Sequence, residues 1–140
     1  MQTPVPYFIH SLTALSKILD KAEAHAEARK IRPEVTPQLR LIADMLPFWR
    51  QITIACDHAK GAAARLSGAE VPSWPDTETT LAELKDRIER TIAYLGTIPA
   101  SAFEGAEART ITVKAGPHEL TFPAEQYLHG YAVPNFHFHM

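Results

Sequence analysis

The sequence is poor in the residues from which the commonest active sites are built. It has one cysteine, Cys56, so no internal disulfide can form and the fold must hold without covalent staples, as cytosolic chains usually do. Its 6 glycines are nowhere clustered, which excludes a glycine-rich phosphate loop, and no serine has the glycine-flanked elbow of a hydrolase. No excess of one charge is present: 14 basic and 16 acidic side chains give −2, which argues against dedicated nucleic-acid binding. No apolar run approaches the roughly eighteen residues of a membrane span, and the start lacks a charged region followed by an apolar run. A cytoplasmic protein is the expectation. What is present is ordinary globular material: 140 residues, one domain by length, with 46% hydrophobic residues.

Periodicity makes the first two thirds helical. After Pro4 and Pro6, apolar residues fall at Phe8, Leu12, Leu15, Leu19, Ala22 and Ala26, steps of three and four that share one helix face. Pro33 sets the expected stop, because the residue before a proline is pushed out of helical geometry. Thr36 and Pro37 then read as cap and first turn of a second helix, running to Leu66 with a kink at Pro47. Its stripe is Leu39, Ile42, Leu46, Trp49, Ile52, Cys56, Ala59, Ala63 and Leu66, with Gly68 at the left-handed position beyond. Small residues from Gly61 to Ala64 permit close approach of another helix. Residues 67 to 80 are a connection. A third helix carries Leu81, Leu84, Ile88, Ile92 and Leu95, with Thr80 and Glu83 at capping-box spacing and Gly96 and Pro99 at its end.

The period then changes. Thr110 to Lys114 and Glu119 to Phe122 alternate like strands, separated by Ala115, Gly116, Pro117 and His118, and predict a small hairpin lying against the helices. Pro123 opens a last helix carrying Tyr127, Leu128, Tyr131 and Phe136, with a bend at Pro134. That helix is about half the length needed to close a bundle with the other three, so it is expected to be incomplete at Met140.

Histidine supplies the constellations that could carry chemistry. There are seven, none in a HExxH or HxxxH arrangement. Asn135 and His139 share a helical face, and His129 lies about 80° away from His139 around the same helix. Asp57 and His58 sit near the middle of the second helix, the depth at which bundles gather ligands from facing helices. Imidazole and carboxylate together suit zinc, manganese, iron or nickel. His129 and His139 read equally as interior histidines satisfied by backbone or tyrosine partners. Asp57 reads equally as an exposed partner of Lys60 or Arg50. Cys56 falls on the apolar stripe and reads as a small buried hydrophobe.

Several stretches carry a resemblance: Ala24-His25-Ala26-Glu27-Ala28-Arg29, Leu41-Ile42-Ala43-Asp44-Met45, Ile54-Ala55-Cys56-Asp57, Tyr127-Leu128-His129 and Pro134-Asn135-Phe136-His137-Phe138-His139. With the opening from Phe8 to Leu19, they resemble a bacterial domain-of-unknown-function family of the DinB-like, or YfiT-like metalloenzyme, superfamily. The resemblance covers essentially the whole chain. It implies an all-α, up-down-down-up four-helix bundle, a homodimer, and a divalent metal held by one histidine of the second helix and two, four apart, of the last. Those positions fall at or beside Asp57-His58 and on Asn135 and His139, and Asn135 departs from histidine. His129 would then replace the lost ligand, giving Asp57, His129 and His139 as the metal set, with His58, Asn135 and Tyr131 around the pocket. Two functions follow: a metal-dependent enzyme acting on a small molecule, thiol chemistry included, or a non-catalytic dimeric bundle or ligand-binding module with a degenerate site.

Overall fold

The computed structural model describes residues 1–140. Helix α1 (Val5–Ala28) buries Phe8, Leu12, Leu15 and Leu19, the stripe expected from spacing. It ends short of Pro33. Arg29 is the C-cap, and Lys30 takes the left-handed conformation at φ 57°. The Lys30 and Ile31 N–H groups return to the carbonyls of Glu27 and Ala26, so the last helical carbonyls are satisfied before the proline is reached.

The long second helix expected from Pro37 to Leu66 is instead two pieces. A single turn, α2 (Val35–Gln38), holds buried Pro37, and α3 (Phe48–Ser67) begins immediately after Pro47. Pro47 therefore caps a helix rather than kinking one. It lacks an N–H and disfavours helical geometry at Leu46. The intervening loop closes on itself, with Phe48 N–H donating to the Leu39 carbonyl at 2.8 Å and Met45 N–H to that of Ile42 at 3.0 Å. Leu39, Leu41, Ile42 and Leu46 are consequently exposed, as are Phe138 and Met140. Helix α3 itself buries Ile52, Ala55, Cys56, Ala59, Ala62, Ala63 and Leu66. Gly68 at φ 78° forms its left-handed end, where the Arg109 guanidinium also donates to the Leu66 carbonyl.

Helix α4 (Leu81–Gly96) opens with the expected capping box. Glu83 N–H donates to Thr80 Oγ1 and the Glu83 carboxylate accepts from the Thr80 N–H, both at 3.2 Å. Two 3₁₀ turns, Ala100–Phe103 and Ala106–Ala108, lead to the antiparallel hairpin β1 (Thr110–Ala115) and β2 (His118–Pro123). Ala115 pairs with His118 and Thr110 with Pro123, so β1 is one residue and β2 two residues longer than expected, and only Gly116 and Pro117 make the turn. Gly116 at φ 59° occupies its left-handed position. The last helical region runs through α5 (Ala124–Tyr127), a π turn (Leu128–Ala132) and α6 (Val133–His139).

The chain is thus mostly helical with one small hairpin. Helix α4 packs against α1 and α3, and α3 packs against α6. Phe8 of α1 meets Phe136 of α6 edge-on at 5.1 Å, which joins the first helix to the last. Side chains from all these elements and the hairpin form one core.

One interaction in this core is ionic. Arg87 of α4, whose side chain has no exposed surface, donates from Nη1 to the Pro75 carbonyl at 3.1 Å and to Glu78 Oε1 at 3.0 Å. Its Nη2 donates at 3.2 Å to both Asp57 Oδ1 and Asp76 Oδ1. Lys60 also holds Asp57, at 3.0 Å, and Arg50 holds Asp76, at 2.9 Å. Three cations thus face three carboxylates. Removing Arg87 leaves the buried Glu78 carboxylate uncompensated, while Lys60 and Arg50 still hold the more exposed Asp57 and Asp76, at a cost of about 3 kcal/mol. Arg87→Ala is expected to destabilise the fold by that amount in urea-induced unfolding. A loss below about 1 kcal/mol would show that the cluster is not a structural clamp.

Candidate functional site

Gln51, His58 and Arg65 recur every seven residues along α3, so they share one face, about 20° apart at each step. Packing of α3 against α6 brings His139 to the first two of them. The imidazoles of His58 and His139 stack with centroids 6.0 Å apart and planes 11° from parallel. His139 Nδ1 lies 2.6 Å from Gln51 Oε1. Because the amide oxygen only accepts, Nδ1 carries the proton and the neutral ring presents Nε2 as its lone-pair nitrogen. Tyr131 meets the His58 ring edge-on at 5.8 Å and stacks on Tyr127 at 6.0 Å. Arg65 Nη1 donates to the Tyr127 hydroxyl at 3.1 Å.

Burial holds both histidines neutral. It pushes the His58 pKa down to about 4, reinforced by His139 and Arg65 and opposed by Asp57. The His139 pKa is also lowered, first by burial and then by the Arg50 charge. Cys56 is fully buried on the opposite, apolar side of α3, and burial raises its thiol pKa to about 12, so it packs as a small hydrophobe without nucleophilic character.

The π turn sets the approach of the last helix. Val133 N–H donates to the Leu128 carbonyl, five residues back. Pro134 has no N–H to offer the Gly130 carbonyl in ordinary α-helical register, and widening the preceding turn accommodates the ring. Asn135 repairs the backbone one step later, its Nδ2 donating to the Tyr131 carbonyl at 2.8 Å. The bend expected at Pro134 is thus realised as an inserted residue, and it turns Tyr131 toward His58.

The expected ligand set is not brought together. Asp57 faces α4, where Arg87 and Lys60 hold its carboxylate. His129 lies on an exposed flank, its side chain 69% accessible and 3.5 Å from Glu125 Oε2. Only His139 remains at the site, and no three His, Cys, Asp or Glu side chains converge anywhere in a manner suited to a metal ion. The residues present therefore do not fit a three-ligand divalent-metal centre: two imidazoles face each other, and Asn135 spends its amide N–H on the helix backbone. Of the surrounding residues expected at the pocket, His58 and Tyr131 lie at its centre. Gln51 and Arg65 were not anticipated, although their seven-residue spacing from His58 could have indicated them.

Two cavities flank the histidine pair. One, about 160 Å³, is lined by His58, Tyr131, Arg65 and Asp57 together with Lys114 of β1. The other, about 280 Å³ and mostly apolar, has Gln51 and His139 at its edge among Leu39, Leu46, Phe48 and Phe138. A larger groove of about 710 Å³ near Lys30 and Thr80 contains no histidine or aromatic side chain.

This is the architecture of a DinB-like protein. The chain is similar to a DinB family member from Shewanella denitrificans whose crystal structure superposes with a TM-score of 0.84 at 38% sequence identity. The alignment covers 96% of this chain and 76% of that one. Residues 1–140 match the model of the domain of unknown function DUF1993, and the chain belongs to that family. No curated protein matches it.

The depressed His58 pKa has a consequence for stability. The unfolded chain binds a proton at His58 below about pH 6.5, whereas the folded ring resists it down to about 4. This contribution is therefore fully retained above pH 6.5 and lost as pH falls toward 4, by up to ~3 kcal/mol. Urea unfolding between pH 7 and 4.5 is expected to show a steeper loss in the wild type than in His58→Gln. Parallel profiles would contradict a neutral, buried His58.

Proposed function

We propose that this DinB-like protein is a small-ligand-binding module whose site is the cluster of His58, His139 and Tyr131 between α3 and the last helical region, and that it works without a resident metal. The observation that carries this reading is the His139–Gln51 hydrogen bond beneath the stacked His58 ring. It fixes one tautomer of His139 and leaves a neutral, polar face between a polar and an apolar cavity, which suits recognition of a small amphiphilic molecule. The order of neighbours, α1 beside α4, α4 beside α3, α3 beside α6 and α6 back to α1, supports the up-down-down-up bundle as its scaffold.

The competing reading is a divalent-metal-dependent enzyme. Plasma mass spectrometry of untagged protein, purified without chelator and again after incubation with zinc, nickel, manganese and iron salts, separates the two. The expected result is a metal content well below one per chain in both preparations. Near-stoichiometric metal that is lost in both His58→Ala and His139→Ala would overturn the proposal in favour of the enzyme.

A further inference from the structure

Arg65 is a half-buried guanidinium without a carboxylate within ion-pairing distance; its one side-chain partner is the neutral Tyr127 hydroxyl, 3.1 Å away. With five N–H donors available, most of its hydrogen-bonding capacity is unspent. Gly61, one turn earlier on α3, makes the placement possible: a Cβ there would stand 2.5 Å from Arg65 Nη1. Lys114 approaches the same cavity from β1. Its cross-strand register partner is Glu119, yet the two form no ion pair. The single carboxylate at the cavity, Asp57, is already held by Arg87 and Lys60.

From this juxtaposition we infer that the cavity of about 160 Å³ beside His58 is an anion subsite, in which Arg65 and Lys114 receive the carboxylate or phosphate group of a small molecule. The inference rests on the ligand-binding reading above and gives that ligand a chemical class. A partly desolvated cation without a counter-charge is unfavourable, and an anion entering here would be the missing partner. Size sets a limit as well. The volume equals that of about five water molecules, enough for one phosphate or a short carboxylate but not for a whole nucleotide. Neutral His58 and Tyr131 add a ring nitrogen and a hydroxyl to the lining of the same cavity. The positive field of Arg65 is already felt there, since it helps to lower the His58 pKa.

The test is an NMR titration of the intact chain with inorganic phosphate and with acetate, using acetamide as the uncharged control, each on protein as purified and on protein first dialysed against EDTA and then freed of it. The expected result is saturable perturbation of the Arg65 Nε–Hε and His58 ring signals by both anions and not by acetamide. Binding should weaken about tenfold or more in Arg65→Gln, and less in Lys114→Gln, an exposed hairpin position whose replacement leaves the core untouched. Equal perturbation by acetamide would overturn the anion class while leaving the ligand site in place. Binding unaffected by either variant, or no perturbation by any probe, would overturn the subsite. Anion binding lost after EDTA has been dialysed in and then removed would instead overturn the metal-free reading on which it rests.

Discussion

A fully buried guanidinium, Arg87, ties three separate parts of the chain into one arrangement. It joins α4 to α3 through Asp57 and joins both helices to the connection before α4 through the Pro75 carbonyl, Asp76 and Glu78. Trp74 on that connection lies under Lys60, Arg87 and Arg90, at 4.4, 5.7 and 5.3 Å from its ring centroid. These cation–π contacts reinforce the same junction. The consequence for the site is rotational. Residues adjacent on a helix point about 100° apart, so holding Asp57 toward α4 turns His58 toward the last helical region. One ion cluster thereby holds the Asp57 carboxylate toward α4 and leaves His58 stacked on His139.

The other face of the site depends on a backbone irregularity. Pro134 cannot continue an ordinary α-helix, and the π turn before it adds a residue without ending the rod. Tyr131 lies inside that turn and Asn135 satisfies its carbonyl. A position where the resemblance implies a histidine ligand is here occupied by a side chain committed to its own helix. Together with the hydrogen bond from His139 to Gln51 and the stacked His58 ring, this gives the proposed site hydrogen bonds and stacked rings where the resemblance implies ligands.

Much of the fold was legible because periodicity reports burial directly. The stripes Phe8-Leu12-Leu15-Leu19 and Leu81-Leu84-Ile88-Leu95, the capping box at Thr80 and Glu83, the left-handed Gly68 and the hairpin all follow from local rules. The second helix was over-extended because Leu39, Ile42 and Leu46 keep helical spacing while exposed in a loop, and two prolines settle the matter against them. The site was less legible. Asp57 and His129 have the right chemistry for ligands, but spacing along one helix does not reveal which neighbour another helix supplies. Arg87 sits three residues after Leu84, on the buried stripe, and its three acidic partners are distant or in a loop. That combination of charge and stripe position was a readable sign of a buried ion cluster. So was the seven-residue recurrence of Gln51, His58 and Arg65.

The central claim is that the site is a neutral, hydrogen-bonded histidine pair, and long-range ¹H–¹⁵N spectra of the imidazoles through a pH titration test it most directly. The account predicts that His58 and His139 both titrate below 6.5 and that His139 at neutral pH is the tautomer protonated on Nδ1. A ring that titrates at or above 6.5, or a His139 protonated on Nε2 alone, would contradict it.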